Sequence, residues 1–404
     1  MMKPQTLKGF RDFLPKEARK RQYVVDTLKQ VFESYGFEPL ETPALEYEEV
    51  LLGKYGEEGD KLMYRFVDNG KRRVALRYDQ TVPLARVVSK YTSILGMPFK
   101  RYQIQPVWRA ENTQKGRFRE FLQCDADIVG SSSPLSDAET IAVAAKAIEK
   151  LGFTKYKIII NDRAVFADIS KKTITIIDKL KKIGREKVIE ELLSKGVAKT
   201  PDEAASILSS IDGKKPTERI NEIFSSLEKL GVEPQKYEFS PTLARGLDYY
   251  TGLIFEIEID DYTAGSVCGG GRYDKLIGMF AGRDIPAVGF AFGFDRLMEA
   301  MDELQLFPDD LQTTKVLVTV FSPELLEKTL EISSQLRSNN INTEIYLNEN
   351  ASLEKQLKYA DQKGIPYVVI IGSEEVKNNT VTIKNLKTRE QKQVTVEKLP
   401  SELI

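Results

Sequence analysis

Arg109-Ala-Glu111, then a polar loop, then Arg117-Phe-Arg119-Glu-Phe121-Leu-Gln123-Cys-Asp125-Ala-Asp127 is the stretch best equipped for chemistry. Read at period two, Phe121, Gln123, Asp125 and Asp127 share one face of a strand, and Leu122, Cys124, Ala126 and Ile128 share the other. The apolar face can pack on a core, which leaves hydrogen-bonding groups facing something else. The segment before it repeats the pattern: Arg101, Gln103, Gln105 and Arg109 alternate with Tyr102, Ile104, Pro106 and Trp108. Joined through residues 110–117, the two segments predict an antiparallel hairpin lined with arginines, amides and carboxylates. A solvated sheet face would show the same alternation.

The chain contains no histidine. Imidazole bases, His-based triads and histidine metal ligands are therefore excluded. The chemistry must rest on arginines, carboxylates, a metal ion or the substrates' own groups. The 404 residues suffice for two or three domains, and 59 basic against 60 acidic residues give a net charge of −1. That balance does not announce nucleic acid, although local basic patches could still bind it. No apolar run is long enough to span a membrane, and the N-terminus lacks an apolar signal core. Cys124 and Cys268 make no disulfide framework, so a reducing cytoplasm is expected.

The elements around these residues follow from their periodicity. A helix over 16–35 carries Val24, Leu28, Val31, Phe32 and Tyr35 on one stripe and stops at Gly36. Residues 37–46 are extended around Pro39 and Pro43, and a strand over 72–78 delivers Asp79-Gln-Thr81 at its end. A second helix, 136–151, begins with a Ser136/Glu139 capping box. From 164 to 234 the composition turns to lysine, glutamate and leucine at helical spacing. Strand character resumes at 254–260. A helix is expected over about 287–301, with Gly289 and Gly293 letting it approach the sheet, and 304–314 reads as a linker. Beyond it, strands over 315–321, 342–347 and 367–372 alternate with helices near 324–337 and 352–363, the pattern of a small α/β domain with a largely parallel sheet. Its twelve basic and twelve acidic residues show no RNA face by charge alone.

A second stretch, Leu243-Ala-Arg245-Gly246-Leu247-Asp248-Tyr249-Tyr250-Thr251-Gly252, is followed by Gly269-Gly270-Gly271-Arg272-Tyr273-Asp274. With these in view the chain resembles the histidyl-tRNA synthetases, a family of class II aminoacyl-tRNA synthetases. Arg109-x-Glu111 is similar to motif 2 of that class, Gly289-Phe-Ala-Phe-Gly293-Phe-Asp295-Arg296-Leu297 to motif 3, and the Pro43 region to motif 1. The stretches around Arg245 and Gly270 resemble sequences peculiar to the histidine-specific branch. The likeness runs from Gly9-Phe-Arg11-Asp12-Phe13-Leu-Pro15 to the C-terminal domain. It implies an α/β chain whose α+β catalytic domain (1–163 and 235–303) is an antiparallel sheet flanked by helices. A helical insertion (164–234), the linker (304–314) and a C-terminal α/β anticodon-binding domain (315–404) complete it.

The implied reaction has two steps. Histidine carboxylate attacks the α-phosphate of ATP and releases pyrophosphate, and the 3′-terminal ribose of tRNA(His) then takes the histidyl group. By the resemblance Arg109 and Arg245 are catalytic and reach the α-phosphate from two sides. Arg117 and Arg296 are candidates for the outer phosphates, Glu111 for the adenine amino group and Phe121 for the ring. Asp79, Thr81 and Gln123 match positions that hold the α-amino group, and Asp127 and Tyr250 those that hydrogen-bond the imidazole; Arg245, Tyr249 and Tyr273 join the histidine set. One branch of the family has glutamate where this chain has Asp79 and Asp127. Gly269–Gly271 lacks the spacing and the Lys-Ser/Thr pair of a Walker loop, so a turn allowing close backbone approach is expected. Cys124 is expected in the core and Cys268 toward the pocket.

Mg2+ is expected with ATP, with no metal held by the protein itself, and a homodimer is expected through the Pro43 region. The family also implies recognition of the histidine anticodon and of an extra 5′ guanosine. The rival readings are a non-catalytic synthetase-like regulatory subunit of histidine biosynthesis, a tRNA sensor, and a synthetase for another amino acid. The presence of both arginines and of the C-terminal domain speaks against the first two, and the Arg245 stretch against the third.

Overall fold

The computed structural model describes residues 3–52, 62–112, 118–244 and 249–403. The chain divides into two compact units, Met1–Phe307 and Pro308–Ile404. Strands of the first unit are β1 (Glu38–Pro39), β2 (Leu45–Tyr47), β3 (Arg65–Val67), β4 (Arg73–Leu76), β5 (Phe99–Trp108), β6 (Glu120–Val129), β7 (Tyr156–Asp162), β8 (Tyr237–Phe239), β9 (Leu253–Ile259), β10 (Cys268–Arg272) and β11 (Ala287–Gly293). Eight of them form one mixed sheet in the order β1-β5-β6-β11-β10-β9-β7-β8. Its pairings are antiparallel except β1 with β5 and β7 with β8. β2, β4 and β3 make a separate three-stranded sheet.

The period-two pattern of the hairpin sorts as expected. Cys124, Ala126 and Ile128 enter the main core, where they meet helices Pro15–Ser34 and Pro134–Lys150. The first helix buries Val24, Leu28, Val31 and Phe32, and its chain turns out at Gly36 with φ +76°. The second is capped three residues earlier than its expected capping box. Ser133 is the cap, accepting from the Leu135 N–H, because Pro134 occupies the first helical position and needs no donor partner there. Ser136 is instead buried, and its hydroxyl receives Arg272.

Two further expectations change. Residues 287–293 are a central strand, not the start of a helix; the helix is Phe294–Glu303. The alternation of Val288, Phe290 and Phe292 with Gly289, Ala291 and Gly293 is a strand signal that the glycines obscured. Gly269–Gly271 likewise lies in β10 rather than in a turn. The close approach is real: a Cβ at Gly270 would fall 2.3 Å from the Gly289 carbonyl, and one at Gly271 2.4 Å from that of Leu253.

Between β7 and β8 the described residues are helical, with Lys171–Ile177, Leu180–Ser194, Pro201–Asp212 and Glu218–Lys229. The first three build a second core around Ile176, Val188, Leu192 and Leu208, which Tyr250 and Ile254 from outside these helices also enter, while Ile220, Ile223 and Leu227 of the last join the main core. No helix among the described residues is long and apolar enough to cross a membrane.

The second unit has β12 (Val316–Val318), β13 (Thr343–Ile345), β14 (Tyr367–Ile370), β15 (Thr380–Asn385) and β16 (Gln391–Thr395) in the order β13-β12-β14-β15-β16. Only β13, β12 and β14 are parallel; β15 and β16 extend the sheet antiparallel, so it is mixed rather than largely parallel. Val316 and Val318 face helix residues Ile332 and Leu336, whereas Leu317 and Val368 face Ala360. One helix therefore covers each side of the sheet.

Candidate active site

The polar face of the β5–β6 hairpin is the wall of a cavity of about 330 Å³. Phe121, Gln123, Asp125 and Asp127 line it from β6, and Gly289, Ala291 and Gly293 from β11. Asp79 and Thr81 arrive from the end of β4. Asp79 Oδ1 accepts the Val82 N–H at 3.2 Å and so closes the first turn of helix Thr81–Tyr91. Gln80 is fully buried and donates to the carbonyls of Gln105 and Gln123, which ties this corner to both strands of the hairpin.

A second cleft of about 320 Å³ is bordered by Glu111, Phe118 and Asp295. Arg109, Phe121, Gly293 and Arg296 line both spaces. Arg109 is held by its Nε, which donates to the Tyr78 carbonyl at 3.1 Å, and its guanidinium carbon lies 5.0 Å from the Phe121 ring centre. Arg296 donates to the Ser266 carbonyl at 3.1 Å. The two spaces differ in charge: Asp79, Asp125 and Asp127 border only the first, and the arginines stand where the two share a wall.

Asp127 is held from two directions. Arg101, directly opposite on β5, places Nη2 2.7 Å from Oδ2, and the Tyr273 hydroxyl donates to Oδ1. Burial pushes the Tyr273 hydroxyl well above its ordinary pKa, and the neighbouring Asp127 charge adds to this, so the phenol stays a donor. Gly289 lies opposite Asp127 on β11 and leaves room for its carboxylate. Asp125 accepts from Gln123 Nε2 at 2.8 Å. Its carboxyl is pushed up to about 7, chiefly by burial, with Arg101 opposing and Asp127 and Asp79 adding to the shift. Tyr250 and Tyr249 border the same space, with ring centres 4.4 Å apart, and Tyr249 meets the Tyr273 ring edge-on at 6.1 Å.

Of the residues singled out in the sequence, Asp79, Thr81, Gln123, Asp127, Tyr249, Tyr250 and Tyr273 gather at the first cavity. Glu111 borders the second, and Arg109, Phe121 and Arg296 border both. Arg117 and Arg245 lie outside the described residues. Cys268 borders the first cavity but is buried, and Cys124 is in the core. Sequence reasoning placed Arg101 and Asp125 on the polar face without giving them a part; the cross-strand register that pairs them with the site was the missing information. Among the described residues no group of three or more His, Cys, Asp or Glu side chains could hold a metal ion.

Arg272 explains why Gly269–Gly271 ends in a charge. Its guanidinium is buried, donates to Asp137 at 2.9 Å and to Ser136 at 3.0 Å, and reaches Asp274 and the Ser131 carbonyl. Arg219 of the helical insertion takes the other oxygen of Asp137 at 2.8 Å. This network holds the strand that passes behind the cavity.

Comparison with known proteins gives the same reading. The family model described as histidyl-tRNA synthetase matches residues 9–297, and one described as an anticodon binding domain matches 315–404. A histidine–tRNA ligase of Cytophaga hutchinsonii is 40% identical over 456 residues, covering 100% of both chains. Another, of Gloeobacter violaceus, is 41% identical over 448 residues and covers 96% of each. The crystal structure of histidyl-tRNA synthetase from Nostoc sp. PCC 7120 superposes with a TM-score of 0.88 at 32% identity, covering 100% of this chain and 99% of that one. With matches this long in both sequence and fold, the chain belongs to the histidyl-tRNA synthetase family.

Proposed function

We propose that this protein is a histidine–tRNA ligase: it activates histidine with ATP and transfers it to the 3′ end of tRNA(His). The observation that carries the reading is the shared wall. Arg109 and Arg296 stand between a space bordered by three carboxylates and one bordered by Glu111, Phe118 and Asp295, the last already paired with Arg11 and Arg21. Histidine occupies the first, its ammonium near Asp79, Thr81 and Gln123 and its ring near Asp127, Tyr250 and Tyr273. ATP occupies the second, with the adenine on Phe121 and its amino group at Glu111. The histidine carboxylate and the α-phosphate then meet at the arginines.

Attack of the carboxylate oxygen on the α-phosphorus concentrates negative charge on the phosphate oxygens as pyrophosphate leaves. Arg109, and Arg245 by family position, offset that charge with fixed cations, and Arg296 and Arg117 take the outer phosphates. A ring with two polar nitrogens answers the buried polar groups around it; an apolar side chain leaves them unpaired, which discriminates more strongly than shape. Mg2+ brought with the nucleotide would supply further positive charge to the phosphates.

The anticodon-binding unit engages tRNA, and the helices of 164–234 form the inserted domain beside the acceptor arm. The protein works as a homodimer through the Pro43 region; in support, Leu45, Tyr47 and Phe66 are exposed apolar residues on one face of the small sheet, a patch that a partner copy would cover. Two buried cysteines that form no disulfide suit a reducing cytoplasm.

Histidine-dependent ATP–pyrophosphate exchange, run beside other amino acids and with Arg245→Ala, tests the reading. Exchange with histidine alone, lost in the variant, is expected. Absence of exchange with every amino acid, in folded protein that binds ATP or tRNA, would instead indicate a regulatory relative. Light scattering that gives a monomer at micromolar protein would overturn the dimer.

A further inference from the structure

Asp125 is the one carboxylate at the first cavity to which the reading above gives no part. It is nine-tenths buried or more, it borders the space directly, and its Oδ1 meets no hydrogen-bond donor among the described residues. Leaving such an oxygen without a donor is costly, and native structures rarely do so without a reason.

The neighbouring charges show why a ligand has to answer for it. Arg101 is fully buried on β5 and lies 2.7 Å from Asp127 but 3.9 Å from Asp125. One guanidinium therefore faces two carboxylates and lies closer to Asp127, which also receives the Tyr273 hydroxyl, and its own nitrogens make no well-aligned hydrogen bond to either. Asp79 comes from the turn before helix Thr81–Tyr91 and adds a further negative charge. β11 presents Ala291 opposite Asp125 and brings no titratable group. Arg109 and Arg296, the other cations at this cavity among the described residues, are on the wall shared with the second cleft.

A neutral imidazole offers one N–H donor and one acceptor nitrogen, and an imidazolium offers two donors. Asp127 and Asp125 together can be satisfied in two ways. The ring is cationic and donates to both, or the ring is neutral and Asp125, as the acid, donates to its bare nitrogen. Both arrangements contain the same number of protons. We propose that Asp125 is a further specificity-determining residue of this pocket, and that in the complex it and the substrate ring hold one proton between them. The inference rests on the reading of the first cavity as the histidine site.

The free partners titrate close together. Asp125 is raised to about 7 by burial in the protein without ligand, and the ring of histidine titrates near about 6.5. Below both values the free partners carry two protons and binding must release one. Above both they carry none, and binding must take one up.

Calorimetric titration of the full-length protein with histidine, in buffers of different ionisation enthalpy, counts these protons. Release approaching one proton at about pH 5.5 and uptake approaching one at about pH 8 are expected, and Asp125→Asn should lose at least about half of the uptake. A proton count that stays near zero at the alkaline pH in the unmodified protein would overturn the proposal, whether or not the variant folds. So would an uptake that Asp125→Asn leaves unchanged. Asp127→Asn separates the two readings. If it does not weaken histidine binding, the cavity is not the ring site; if it does while the count stays flat, only the part given to Asp125 is wrong.

Discussion

Gly289 lies directly opposite Asp127 in the β6–β11 ladder, and a Cβ at position 289 would fall 1.9 Å from Asp127 Oδ1. The Ala126 carbonyl would be 2.8 Å away, so the backbone as well as the carboxylate stands in the way. Asp127 can lean across the neighbouring strand, toward Arg101 and Tyr273, because position 289 has no side chain.

Gly289→Ala should therefore displace the carboxylate proposed to read the ring. A shift of this kind costs about 10²-fold in activity when geometry is close, and overpacking costs about 1–3 kcal/mol of stability. Histidine-dependent pyrophosphate exchange and urea unfolding check both. Unchanged exchange would show that the lean of Asp127 does not matter to the reaction.

At the shared wall, Arg109→Ala should lower exchange by about 10²–10³-fold, the effect of losing one donor to a developing anion. Arg109→Lys should recover little, because a point charge does not replace a two-pronged fork. Steady-state exchange at saturating histidine and ATP measures this, and near-complete recovery with lysine would contradict the assignment to the α-phosphate.

Asp137 is fully buried between Arg272 and Arg219. Asp137→Ala leaves the buried Arg272 without its main counter-charge, and breaking such a pair from one side costs about 3–5 kcal/mol. Adding Arg272→Met should restore part of the loss, since the uncompensated charge goes with it. Urea midpoints of the single and double variants decide; a double variant no more stable than the single one would mean that the pair's geometry, not its charge, supports β10.

The raised Asp125 carboxyl sets a pH dependence of stability whose sign is opposite to that of a salt-bridged carboxylate. Below about pH 4 the group is protonated in folded and unfolded chains alike and has no effect. As pH rises, the unfolded chain ionises first while the folded one keeps its proton to about 7, so stability falls through that window and levels off above it. Asp125→Asn should be near neutral at about pH 4 and stabilising by a few kcal/mol at about pH 8 in protein without ligand. Unfolding curves at the two pH values test it, and a variant equally affected at both would exclude this origin.

A chain without histidine can be translated when histidine is short. Pulse labelling after histidine withdrawal should show its synthesis persisting while that of histidine-containing proteins falls. Synthesis falling in step with theirs would sink this consequence of the composition.

Much of the site was legible before any fold was known, because strand periodicity is local. The alternation in 121–128 assigned each side chain to a face, and the apolar stripe of the first helix named four of its buried residues. Local signals failed where tertiary packing overrides them. Gly289 and Gly293 suggested a helix pressed on the sheet, but Gly289 is empty because a carboxylate from the next strand fills the space. β15 and β16 alternate polar residues with Val381, Ile383 and Val394 instead of carrying the continuous apolar run that marks β14, and their pairing makes them plain.

Residue identity alone determined that no imidazole from the protein acts here, that arginines and carboxylates share one face of a hairpin, and that the chain carries the family's motifs in order. Which carboxylate meets which cation was a matter for the tertiary structure. Arg101 and Asp127 are 26 positions apart in sequence and become neighbours only through the register of β5 on β6. Tyr273 reaches the same carboxylate from far along the chain, through β10 and β11. Composition can supply charges, but their pairing, burial and the shift of Asp125 follow from strand order, which is a property of the folded sheet.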